Sequence, residues 1–136
     1  MFLGEHEHSL DSKGRVILPA RYREALAQAY VAGERDGCLS LWPPEDFAVR
    51  AEEMRERARA SAGGRRVARA FFSNAEVATP DRQGRIAIPP KLRAFAGLDR
   101  EVVICGQFDH VEIWDAGRWA EHEARGAAEL AREEDD

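Results

Sequence analysis

No apolar run in this chain approaches the roughly 20 residues that a membrane-spanning helix needs. The opening Met1-Phe2-Leu3-Gly4 passes at once into Glu5-His6-Glu7-His8 with no hydrophobic leader, so a soluble cytoplasmic protein is expected. Cysteine is scarce. Cys38 and Cys105 stand far apart with no metal-type spacing, and each is expected as a buried strand thiol. The four histidines include a pair, His6 and His8, that would share one face of a strand, but no third ligand is near in sequence and no metal site is expected. There is also no nucleophile beside a base and no glycine-rich phosphate loop. No enzyme activity, cofactor or small-molecule substrate is therefore anticipated.

An excess of positive charge is missing as well. The formal net charge is −5, whereas a nucleic-acid-binding domain usually carries a basic footprint. The charge is unevenly placed, however. Residues 121–136 hold seven acids and two arginines, which accounts for the whole negative excess. Residues 11–23 and 81–93 each hold four Lys and Arg against one acid. The chain is globally acidic with two local basic stretches.

Those stretches are copies of one motif. Asp11-Ser12-Lys13-Gly14-Arg15-Val16-Ile17-Leu18-Pro19 recurs seventy positions later as Asp81-Arg82-Gln83-Gly84-Arg85-Ile86-Ala87-Ile88-Pro89. The spacing holds beyond the proline, where Arg21 and Arg23 correspond to Lys91 and Arg93. A second echo, at a spacing of 72, matches Leu41-Trp42 and Phe47 with Ile113-Trp114 and Trp119. Two echoes in the same order mean an internal duplication. In each motif the Asp side chain can accept backbone N–H groups, and Gly tolerates positive φ, so Asp11, Gly14, Asp81 and Gly84 read as turn-forming. Turn chemistry does not explain why an arginine follows both times, or why two more cations lie six and eight residues beyond it. An anionic partner does.

The chain order follows from periodicity and punctuation. Residues 5–10 read as a strand pairing with Arg15–Leu18 across the first turn, and residues near Ala75–Thr79 as the equivalent partner of Arg85–Ile88. Tyr22, Ala25, Leu26 and Ala29 have helical spacing within Ala20–Ala29. A hairpin of Tyr30–Ala32 with Cys38–Trp42 leads through Pro43-Pro44 into a helix burying Phe47, Ala51, Met54 and Ala58, with Glu53 and Arg57 placed to pair. Ser61-Ala62-Gly63-Gly64 reads as a linker, followed by a short helix over residues 65–72. The second half repeats this plan: a helix from Pro90 to Ala96, a hairpin of Glu101–Cys105 with His110–Trp114, and a final helix capped by Asp115. Arg132–Asp136 reads as a frayed acidic end.

On these motifs the chain resembles the MraZ family of bacterial transcriptional regulators, whose halves are SpoVT/AbrB-like. The match runs from Phe2-Leu3-Gly4 to about Glu121. The resemblance implies an α+β fold in which two tandem SpoVT/AbrB-like repeats form a pseudo-twofold swapped-hairpin β-barrel with flanking helices. The units would be residues 1–62, residues 63–124 and an acidic tail, 125–136. It implies double-stranded DNA with short direct repeats as the partner, upstream of the division and cell-wall operon and of the protein's own gene. It further implies a closed homo-oligomeric ring and nucleoid association. The DNA-contacting arginine corresponds to Arg15, with Arg85 as its counterpart. Lys13 and Arg82 are the neighbouring tip cations. Arg21, Arg23, Lys91 and Arg93 are candidate phosphate contacts or inter-protomer salt bridges. The copies differ at Pro80, where Leu10 stands in the first, and at Gln83 in place of Lys13. A different class of reading is a ring-forming interaction module that binds no DNA. The acidic tail is expected to restrain non-specific DNA binding by repulsion.

Overall fold

In the computed structural model, which describes residues 1–133, the chain is α+β, with eight short strands and four helices among those residues. The first half contributes β1 (Glu5–Ser9), β2 (Arg15–Ile17), β3 (Tyr30–Gly33), β4 (Leu39–Trp42), α1 (Pro44–Ala60) and α2 (Ala62–Asn74). The second contributes β5 (Glu76–Val77), β6 (Arg85–Ala87), α3 (Pro90–Ala96), β7 (Glu101–Gly106), β8 (Val111–Asp115) and α4 (Ala116–Glu133).

The halves are joined by strand exchange. The six-stranded sheet has the order β1-β7-β8-β4-β3-β5, and β2 pairs only with β6. From either edge the roles read alike: the first strand of one half, the third and fourth of the other, then the mirror of that series. The pairing of β1 with β2, and of β5 with β6, expected from sequence is not what forms. β1 runs antiparallel to β7, and β5 to β3. Each Asp turn has one backbone–backbone hydrogen bond between its arms, Asp11 N–H to Arg15 O at 2.9 Å and Asp81 N–H to Arg85 O at 2.9 Å. Beyond it the arms part, and each finds its ladder in the opposite half. Nor does a barrel close: among the described residues β1 and β5 remain the two edges of an open sheet, with β2 and β6 as a separate ribbon.

Alternation decides what the ribbon buries. Val16 and Ile86, together with Leu18 and Ile88, are essentially fully buried and pack on the sheet face that carries Val31, Leu39, Leu41, Ile104 and Ile113. Each such aliphatic side chain removed from water contributes about 1.5–3 kcal/mol. Leu26 and Leu92 close the ends of this core.

Several local differences have identifiable causes. The expected helix over Ala20–Ala29 shrinks to a single 3-10 turn at Ala20–Tyr22; Tyr22, Leu26 and Ala29 of its expected buried face are still buried, while Ala25 is exposed. Its counterpart α3 starts with Pro90 and ends at Gly97, whose φ is 64°; the first half has Ala20 and Ala27 at those positions and lacks both signals. β5 has two residues against five in β1. Leu10 donates its N–H to Arg100 O at 2.8 Å, while Pro80 has none to give. Glu53 pairs with Arg50 at 3.6 Å rather than with Arg57, because Arg50 is held from the other side by Glu34 at 2.7 Å.

The expected linker narrows to Ser61, which ends α1 and caps α2 by accepting the Gly64 N–H at 2.9 Å. Asp115 caps α4 through the Arg118 N–H at 3.1 Å. That helix then continues to Glu133, so Arg132 and Glu133 are helical rather than frayed, and residues 134–136 lie outside the described residues. Cys38 and Cys105 are buried beside Trp114, as expected; burial, then nearby carboxylates led by Glu112, raises both thiols, Cys105 to about 12.

The α1–α2 crossing gives a test of sign. A Cβ at Gly64 would fall 2.5 Å from the Arg57 carbonyl carbon, whereas one at Gly126 in α4 would meet nothing within 4 Å. Helix propensity alone favours alanine at both positions by up to about 1 kcal/mol. Gly126→Ala is expected to stabilise by that order, and Gly64→Ala to destabilise by about 1–3 kcal/mol as the helices separate. Urea midpoints of the two variants check this.

Candidate nucleic-acid interface

The two motifs fold into near-identical devices. In the first, Asp11 Oδ1 accepts the backbone N–H groups of Lys13 and Arg15, each at 2.9 Å, and Oδ2 accepts Arg15 Nε at 2.8 Å. In the second, Asp81 Oδ1 accepts Gln83 and Arg85 N–H at 2.9 and 3.0 Å, and Oδ2 accepts Arg85 Nε at 2.8 Å. The backbone N–H of the arginine is the foremost cause that holds each aspartate below the usual carboxylate range, with the guanidinium and the second N–H adding to it. Gly14 and Gly84 sit at φ of 75° and 79°, which the turn requires. Each carboxylate therefore fixes a turn and aims an arginine. The guanidinium is held at Nε only; among the described residues neither terminal nitrogen of Arg15 or Arg85 makes a hydrogen bond.

The ribbon sets the two arginines side by side. Arg15 pairs with Ala87, Val16 with Ile86 and Ile17 with Arg85. Strand alternation puts Val16 and Ile86 on the core side and Arg15, Ile17, Arg85 and Ala87 together on the outer side. Arg15 and Arg85 are diagonal neighbours on that face, their Cα atoms about 7–8 Å apart. Each side chain is 28% exposed, and Ile17 between them is 44% exposed. The tip residues Ser12, Lys13, Arg82 and Gln83 flank the face and are exposed.

The cations beyond the prolines separate into different roles. Arg23 reaches across to the second turn: it donates Nε to Leu18 O at 3.1 Å and covers Gly84, where a Cβ would fall 2.5 Å from its Cζ. Arg93 does the reverse, donating to Ile88 O and covering Gly14, where a Cβ would again fall 2.5 Å from its Cζ. Each glycine is thus needed both for its φ and for the guanidinium lying over it. Arg21 is tied to the N-terminal segment through Leu3 O at 2.8 Å and His6 Nε2 at 2.8 Å. Burial and then Arg21 lower the His6 pKa, which suits an imidazole that accepts from the guanidinium. Lys91 is exposed, with no ion pair or hydrogen bond among the described residues.

The sequence motif names the eight cations and the four turn residues, but not the crossed clamp that occupies Arg23 and Arg93 or the tie that holds Arg21 to the N-terminal segment. The equal placement of Arg23 and Arg93, nine residues after Gly14 and Gly84, was the available signal. That each would serve the other half's turn follows only from strand exchange. Among the described residues no group of three or more His, Cys, Asp and Glu side chains is gathered to hold a metal, and no helix is long and apolar enough to cross a membrane.

Comparison with known proteins agrees with this two-fold plan. A family model described as "MraZ protein, putative antitoxin-like" matches twice, over residues 1–69 and 71–136. A protein from Paenarthrobacter aurescens (strain TC1), named "Transcriptional regulator MraZ", is 42% identical over 137 residues, covering 100% of this chain and 96% of that protein. The one of the same name from Thermobifida fusca (strain YX) is 43% identical over 137 residues, covering 98% and 96%. That from Moorella thermoacetica (strain ATCC 39073 / JCM 9320) is 43% identical over 123 residues, covering 90% and 86%. With two matched repeats, full-length relatives and a doubled arginine turn, the chain belongs to the MraZ family.

Proposed function

We propose that this chain is a sequence-specific DNA-binding transcriptional regulator, without enzymatic activity, whose reading head is the outer face of the β2–β6 ribbon. One observation carries the reading: two arginines, each anchored at Nε by its own aspartate, project from one face of a two-stranded ribbon. A B-DNA major groove admits such a ribbon. A guanidinium held at Nε still offers its two terminal nitrogens as a fork to guanine O6 and N7. Pre-fixing the arginines lowers the ordering cost of docking them. Lys13 and Arg82 at the turn tips and the exposed Lys91 on α3 serve as phosphate contacts, which set register rather than sequence. The local charge at the turns is positive while residues 121–136 hold the whole negative excess, so the global charge of −5 does not oppose docking at the tips.

The finer reading follows the SpoVT/AbrB-like resemblance. Residues 1–62 and 63–124 act as two swapped-hairpin units around a pseudo-twofold axis, followed by the acidic stretch 125–136, of which residues 125–133 continue α4. One head makes few base contacts and binds weakly. Several heads in a closed ring that engages short direct repeats gain affinity through effective concentration. The target on this reading is the promoter of the division and cell-wall operon, including this protein's own gene, and the protein acts at the nucleoid.

The test is binding by fluorescence anisotropy to DNA from immediately upstream of this protein's gene, against a shuffled duplex, over a salt series. Wild type should prefer the upstream fragment, and Arg15→Ala should lose more than about 1 kcal/mol of that preference with assembly intact. Lys91→Ala should weaken both duplexes alike and reduce the salt slope by about one. Equal, weak binding of both duplexes by wild type would reject the reading in favour of a protein-interaction module. Arg93→Ala should behave differently again. It uncovers Gly14 and removes the bond to Ile88 O, so its thermal midpoint should fall, whereas that of Arg15→Ala should change less.

A further inference from the structure

The symmetry between the halves fails on the outer side of the sheet. α1 follows β4 as α4 follows β8, but the distal half of α1 packs against α2, with Met54, Ala68 and Phe71 buried there. α4 has no such cover. It touches the body through Ala116, Trp119 and His122, and every residue from Glu123 to Glu133 is exposed. This free half is amphipathic. At about 100° per residue, Ala120, Ala124, Ala127, Leu130 and Ala131 share one face. Glu123 lies within that face and Glu133 borders it. Leu130 is 66% exposed.

A complementary surface lies on the α1–α2 hairpin. A groove of about 480 Å³ is floored by Ala58, Ala68 and Phe72 and walled by Arg55, Arg59, Arg65 and Arg69. No acid lines it among the described residues. Glu52 engages Arg55 and Arg59 at 3.4 and 3.3 Å, while Arg65 and Arg69 enter no ion pair there. A separate, larger groove of about 1000 Å³ is lined by other residues of the α1–α2 hairpin together with residues of β3 and α3, but its arginines are interleaved with Glu34, Glu53 and Glu56, which disfavours an acidic occupant.

We propose that the distal half of α4 from a second copy of this chain occupies the arginine-walled groove, with its apolar face down and its acids against Arg65 and Arg69. The inference rests on the self-association reading above and names the surfaces that would produce it. An amphipathic helix in an apolar groove is an established mode of recognition. The small side chains on both sides, alanines on α4 against Ala58 and Ala68, permit a close helix approach. Within residues 123–133, Glu123 lies in and Glu133 beside the apolar face, whereas Arg125 and Arg132 fall on the opposite side of the helix, so the face presented is opposite in sign to the groove walls. A nucleic-acid backbone would satisfy the arginines but would leave Phe72, 40% exposed, and the alanine floor without a partner. On this view the acidity of α4 selects another copy of the chain rather than serving to repel DNA.

The test is a charge exchange between copies. Full-length Arg65→Glu/Arg69→Glu and Glu123→Arg/Glu133→Arg variants are measured by analytical ultracentrifugation beside wild type, with circular dichroism confirming that both are folded. Each variant alone should dissociate at about tenfold or more higher concentration than wild type. An equimolar mixture should recover wild-type mass, because the reversed groove of one then meets the reversed helix of the other. Variants that assemble like wild type, or a mixture that fails to recover, overturn the proposal while self-association stands. A wild type that remains monomeric overturns the self-association reading itself. Normal assembly of the Arg65→Glu/Arg69→Glu variant with reduced DNA affinity overturns the proposal by assigning the groove to phosphate.

Discussion

The antiparallel pairing of β2 with β6 is the constraint from which the rest of this structure follows. Three residues from each half form the ribbon, and among the described residues neither strand has another partner. Because alternation sends Val16 and Ile86 inward, their neighbours must face out, and the outward positions include both motif arginines. The same pairing brings each turn beneath the other half's Arg23 or Arg93. Leu18 N–H reaches Gly84 O at 2.9 Å and Ile88 N–H reaches Gly14 O at 3.0 Å, so both turns are stitched to the opposite strand. Folding of the core and presentation of the arginines are therefore one event. A half-chain alone would lack the partner that buries its ribbon strand.

What was legible in the sequence was local. The Asp-x-x-Gly-Arg turns, the Tyr30–Trp42 and Glu101–Asp115 hairpins, the Pro-initiated helices and the Asp115 cap all follow from contacts within a few residues, where residue type fixes geometry. The duplication was legible because it is a pattern in the letters themselves. What could not be read was which strand pairs with which. A strand written Glu5-His6-Glu7-His8-Ser9 alternates equally well beside β2 or beside β7, and only the packed core selects β7. The shortening of the Ala20–Ala29 helix was foreshadowed by the absence of the Pro and Gly that bound its counterpart. The buried faces were predicted better than the elements carrying them, since Tyr22, Leu26 and Ala29 keep their places in the core after the helix is lost.

Charge is partitioned in a way that composition hides. Asp11 and Asp81 do not dilute the basic character of the tips; each is bound to one edge of an arginine and leaves the other edge open. Elsewhere some acids serve internal pairs, as Glu34 does for Arg50, and residues 121–136 account for the whole negative excess. A net count of −5 therefore says little about what any one face attracts. Basic turns, a basic groove on the α1–α2 hairpin and a C-terminal stretch, residues 121–136, with seven acids against two arginines are set apart along the chain, and such a division favours ordered self-contact over indiscriminate adhesion.

The two halves are similar without being equal, and the differences fall at the tips and edges rather than in the core. Val16 and Leu18 correspond in the repeat to Ile86 and Ile88, changes that conserve shape within a methylene or so. At the tips Ser12-Lys13 becomes Arg82-Gln83, which keeps the count of cations but moves the charge by one position. A perfectly twofold head would present identical contacts in opposite directions and would suit a palindrome. A direct repeat has polarity, and a head that must bind it in one orientation needs its two arginine turns to differ. Moving a single cation by one residue, about 3.3 Å along an extended chain, is enough to reach a different phosphate or base edge. On the proposed reading, the asymmetry between Lys13 and Arg82 supplies the direction that the pseudo-symmetric scaffold cannot.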